Sequence, residues 1–135
     1  MLAEVARKSY VFLTGAFIYS VIEIVSRGFT HWSMAITGGI CLLLLNEVYT
    51  RMSELALWRK CLLGSLIITA VEFTAGNIVN IVMDWNVWDY SHMPLNLFGQ
   101  VCLPFTMLWF LLCVPAKLIC DLLKQRVFVT EIADD

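Results

Sequence analysis

Charge is scarce in this chain. Only 15% of its 135 residues are Asp, Glu, Lys or Arg, and there are two histidines. So little charge excludes an ordinary soluble domain, and a net charge of −2 gives no reason to expect a nucleic-acid partner. No cysteine stands in a C-x-x-C pair and none has a histidine at metal-ligand spacing. Cys41, Cys61, Cys102, Cys113 and Cys120 therefore read as free, small apolar fillers, not as a disulfide framework or a zinc site. There is no Ser-His-Asp pattern and no glycine-rich phosphate loop, so no motif supports an enzyme and no cofactor is expected. No small-x-small cleavage site follows the first apolar run, which reads as a retained helix and not as a signal peptide.

Apolar residues fill the space that charge leaves. They make up 60% of the chain, with a mean hydropathy of +0.79. Four spans of ~20 residues nearly exhaust the length. The expected fold is all-α: an integral membrane four-helix bundle forming a single transmembrane domain over residues 1–135. Its helices are expected near 9–26, 32–50, 61–83 and 94–115, with an amphipathic interfacial segment at 116–127 and an acidic tail after it. Pro94 suits the first position of the fourth helix, Pro104 falls inside that helix and frees the carbonyl of Gln100, and Pro115 closes it. Eight of the nine basic residues lie on one side of this arrangement, with Arg27 alone opposite. The positive-inside rule then puts both termini in the cytoplasm and the aromatic, acidic loop 84–93 outside.

The third helix carries the most information. Thr69, Glu72, Gly76, Asn77, Asn80 and Asp84 fall within an arc of about 140° at ~100° per residue, leaving an apolar opposite face. Glu72 lies twelve residues from Lys60 and twelve from Asp84, about 18 Å from each at ~1.5 Å per residue, which is the midplane. A glutamate there costs ~2.5–3.5 kcal/mol on insertion scales, so it must be protonated, paired or wetted. Its neutral form could simply tie two helices together. The alternative is a binding site, because other polar groups lie at similar depth. Asn77 and Gln100 lie ~10 Å below the outer loop, Glu23 with Arg27 faces in from the first helix, Asn80 and Asn96 lie nearer the mouth, and Asp89 is at the rim. The pattern points to an outward-facing polar pocket floored by Glu72. Carboxylates and amides without thiolates suit a proton or a hard cation, and a metal is not specified.

Trp88-Asp89-Tyr90-Ser91 followed by Pro94-x-Asn96-x-x-Gly99-Gln100-x-Cys102-Leu103 and Trp109, with Glu23…Arg27-Gly28 upstream, resembles the putative ABC-transporter type IV (CmpB-like) family of small bacterial integral membrane proteins. The resemblance implies a multi-pass protein of the bacterial inner or plasma membrane and a link to transport. Any use of ATP would need a separate ATPase subunit, since this chain has no nucleotide-binding motif. Three functions stay open. The first is a transport or channel-like component handling a small solute or cation. The second is a non-catalytic membrane partner or assembly subunit. The third is a small membrane enzyme acting on lipid or envelope precursors. Membrane lipid is a partner in all three, and Gly38-Gly39 and Gly64 suggest close-contact surfaces for a homo-oligomer.

Overall fold

The computed structural model describes residues 2–125. Four helices are long and apolar enough to cross a membrane, and they form an all-α bundle. Helix α1 runs over Leu2–Arg27. The polar lead before Ser9 is therefore helical, with Glu4 and Lys8 paired at i, i+4 spacing, 3.4 Å apart. Gly28, at φ +83°, ends α1 while its N–H still bonds the carbonyl of Ile24. Helix α2 covers Trp32–Arg51 and starts where the ring Nδ1 of His31 accepts the N–H of Ser33.

Glycines set how α1 and α2 meet. A Cβ at Gly15 would strike the backbone of Gly38, one at Gly38 would strike the side chain of Tyr19, and one at Gly39 would strike the ring of Phe12. Gly64 is likewise closed in by Leu45 and Cys113. The small residues that suggested contacts between copies are thus used within one chain, where they let backbones approach closely.

Helix α3, Leu57–Gly76, continues as a π-helical turn, Asn77–Val82. The expected fourth helix is displaced. Instead of starting at Pro94, helix α4 spans Leu103–Leu123, and a small hairpin precedes it, with β1 (Asn96–Leu97) antiparallel to β2 (Val101–Cys102). The reason is local. The Asn96 side chain donates to the carbonyl of Met93 at 2.9 Å and accepts the N–H of Gly99 at 3.0 Å, closing turns that compete with a helix. Gly99 takes φ +73°. Pro104 then falls in the first turn of α4, where no N–H is needed, so it makes no kink. Pro115 lies inside the helix and does not end it. The expected interfacial segment begins as the last turns of α4, and its final residues, 126–127, lie outside the described residues.

This shift changes what fills the upper part of the bundle, the end that carries Arg27, Trp32 and Val82. Trp85 packs beside His31 and Trp32 at that end. The chain then descends. The Phe98 ring lies 6.3 Å from that of Phe73, and Thr106, near the start of α4, bonds Thr69 at 2.8 Å. Phe73 is nine residues from Val82, which is about 13 Å at ~1.5 Å per residue. Residues 84–102 are therefore a re-entrant segment. Non-helical backbone at that depth persists only where it is shielded by protein or water.

Candidate functional site

The buried polar groups form three connected tiers. The lowest is centred on Glu72, which is 2% exposed. The hydroxyl of Tyr19 donates to its Oε1 at 2.6 Å, and the indole N–H of Trp109 donates to its Oε2 at 3.1 Å. The two donors stack on each other with ring centroids 5.6 Å apart. Both carboxyl oxygens are thus held by neutral donors, and no cation pairs with Glu72 among the described residues. A Trp N–H can only donate, whereas a Tyr hydroxyl can donate to a carboxylate or accept from a protonated acid. The geometry can accommodate either form of Glu72 by turning one hydroxyl.

The second tier comes from α1. Glu23 is one turn beyond Tyr19 and is 7% exposed. Its Oε2 lies 3.0 Å from a guanidinium nitrogen of Arg27, close enough for an ion pair though not aligned for a hydrogen bond. Arg27 also donates to the carbonyl of Val87 and covers the Phe29 ring, its Cζ 4.4 Å from the centroid. Tyr90, from the re-entrant segment, stacks on Phe105 at 4.8 Å.

The third tier ties the segment to α3. The Asn80 amide donates to Oε1 of Gln100 at 2.8 Å, while its oxygen accepts the N–H groups of Val87 at 2.7 Å and Trp88 at 3.3 Å. The Trp88 indole donates to the Gln100 carbonyl at 2.9 Å, and the Gln100 amide donates to that of Phe98 at 3.0 Å. Gly76, one turn above Glu72, is what gives this tier room, because a Cβ there would meet Gln100 and come within 3.0 Å of the Trp88 ring. The π-helical turn follows at once and carries Asn80. Asp89 is exposed and accepts the Ser91 N–H at 2.8 Å, a bond that holds its carboxyl below the usual range.

The expected residues therefore divide. Glu72 and Glu23 with Arg27 lie in adjoining tiers, joined through the Tyr19 face of α1. Asn80 and Gln100 meet, but their polar atoms face the segment. Asn96 and Asp89 shape its turns. Asn77 is half-buried in the π-helical turn and makes no side-chain hydrogen bond among the described residues. The space directly above Glu72 is filled by Gln100 and Trp88. Tyr19 and Trp109 were not among the expected site residues. Tyr19 shares a helix face with Glu23, a signal visible in the spacing, but nothing in the sequence pairs either donor with Glu72.

A cavity of about 230 Å³ lies on the other side of this donor pair. Its walls are apolar residues of α1, α2 and α4, with Ile68 from α3, and Tyr19 and Trp109 stand at its edge. Among the described residues, no three His, Cys, Asp or Glu side chains gather as metal ligands would.

One family model matches residues 5–133, and its description is "Putative ABC-transporter type IV". No curated protein and no solved structure matches the chain.

Proposed function

The chain belongs to this ABC-transporter type IV (CmpB-like) family, and from that premise we propose that it is a transport-related membrane subunit in which Glu72 is the group that exchanges a proton for a cation. One observation carries the reading: a fully buried carboxyl, held at both oxygens by neutral donors, with the nearby Arg27 already engaged by Glu23. In an apolar interior such a carboxyl is either neutral or met by a cation that enters. When a cation arrives, the carboxyl O–H gives its proton to water and the carboxylate pairs with the cation. The segment 84–102 acts as the outer plug, and access from that side requires the contacts of Asn80, Trp88 and Gln100 to open. Both termini lie in the cytoplasm in this reading, and a separate ATPase subunit would supply any ATP-driven step.

The test is the purified protein in lipid nanodiscs, titrated with sodium and with ethylammonium while proton release is followed. We expect binding with release of a proton, and loss of both in Glu72→Gln while the helical content stays unchanged. A well-folded Glu72→Gln protein that binds as before would overturn the reading. It would favour a membrane partner without a ligand, which the polar contacts of Asn80, Asn96 and Gln100 within the chain also support.

A further inference from the structure

We propose that the occupant of the Glu72 site reaches it sideways from the bilayer, and that it is a single-chain amphiphile with a cationic head. This rests on the reading of Glu72 given above and adds the substrate class and the route. Three observations on separate parts of the molecule carry it.

The first is that the direct path from the upper end is filled. Gln100 and Trp88 rest on Gly76 one turn above Glu72, and Asn80 ties both to α3. The second is where the empty space lies. α1 packs along α2, whereas α4 packs along α3 and α2, so the α1 and α4 backbones stay apart and leave a gap that the Tyr19–Trp109 stack bridges. The 230 Å³ cavity occupies that gap between Ile18 and Ile22 on one wall and Leu112, Ala116 and Ile119 on the other. All of these residues lie within the membrane-crossing spans, so the open side of the gap faces lipid tails. Such a narrow apolar slot suits a hydrocarbon chain, and the adjoining polar atoms of Tyr19 and Trp109 are turned away from it to Glu72.

The third is the charge behind the Tyr19–Trp109 pair that lines the slot. Glu23 and Glu72 are two carboxyls against the single guanidinium of Arg27, so one negative charge is unmatched when both ionise. The faces of Tyr19 and Trp109 beside it attract a cation as well. An anionic or zwitterionic head would meet like charge there. A cationic head could lie against the aromatic pair and reach the carboxylate once the Tyr19 hydroxyl turns aside.

The experiment compares decylammonium with ethylammonium and decanol, binding to the protein in nanodiscs at equal concentration in the lipid phase. Decylammonium should bind at least about tenfold tighter than either fragment, a gap of ~1.4 kcal/mol. Filling the slot by Ala116→Trp, or by Ile119→Trp if the first variant misfolds, should weaken decylammonium about tenfold and leave ethylammonium unchanged. Leu111→Trp, on an exposed face of α4, should do neither. If slot-filled protein binds decylammonium as before while Glu72→Gln does not, the lateral route is wrong and the Glu72 reading survives. Decylammonium binding no tighter than ethylammonium would also overturn the route alone. Unchanged binding of both amines in Glu72→Gln would remove the Glu72 reading and this inference with it.

Discussion

At the scale of single residues, the same polar side chain means different things according to what it meets. Glu72, Asn80, Asn96 and Gln100 are all polar groups in apolar stretches, and each costs free energy unless bonded. Three of them bond the polypeptide itself: Asn80 and Gln100 latch the re-entrant segment and Asn96 folds its turn. Glu72 alone meets only side-chain donors from two other helices, both of them neutral. Asp89 gives a residue-scale prediction about pH. The Ser91 N–H holds its carboxyl below the ordinary range, so the bond is fully present above that range and is lost only as pH falls through the lower, folded value. The Ser91 amide resonance should stay constant as pH falls past about 4, the ordinary aspartate value, and move only below it. Movement centred at the ordinary value would show that the bond does not form.

Among the elements, the re-entrant segment is the least regular and the most dependent on one neighbour. Leu95 and Phe98 both take positive φ, at 53° and 55°, a conformation that costs ~1–3 kcal/mol each for such residues. Bonds within the turn hold the backbone there, from the Gly99 N–H to the Asn96 oxygen and from the Gln100 amide to the Phe98 carbonyl. Asn80, in the π-helical turn, ties the segment to the helices, so Asn80→Ala should leave the buried N–H groups of Val87 and Trp88 without acceptors, at ~1–3 kcal/mol for each group. Hydrogen exchange across 87–102 should quicken, while α1 and α2 remain protected. Equal protection of the segment in wild type and variant would contradict its dependence on Asn80. The spacing on α3 identified the polar face that does this. The start of α4 was misplaced because a proline in an apolar run reads the same at a helix start as within one. Only the Asn96 turn and the β1–β2 pairing separate the two cases.

For the molecule as a whole, the bundle is built from two close pairs, α1 with α2 and α3 with α4, and the gap between α1 and α4 is what remains. Orientation is testable in a cysteine-free background that keeps the rest of the chain. A cysteine at Ser91, exposed in the segment, should react with an impermeant reagent from outside, and one at Ala56, exposed in the lower connector, only after permeabilisation. The reverse pattern would put the plug in the cytoplasm. Trp88 would be a poor probe despite its place in the loop, since it is 7% exposed.

The membrane class, the count of four helices, the polar face of the third helix and the place of Glu72 well inside that span are legible in the sequence. These follow from composition, from helical periodicity and from the distance along a helix, all of which are local quantities. Family membership was also legible, in the string from Trp88 to Trp109. The tertiary structure decided which groups meet: that Tyr19 and Trp109 hold Glu72, that the loop folds back into the bundle, and that Gly38, Gly39 and Gly64 close contacts within one chain. These depend on which helix faces are opposed across tens of residues, and helices with apolar surfaces on several sides can satisfy their own periodicity in more than one arrangement. Close backbone approach at glycines and the bonding of buried polar groups select one of those arrangements, and both are properties of pairs of elements that no single stretch of sequence contains.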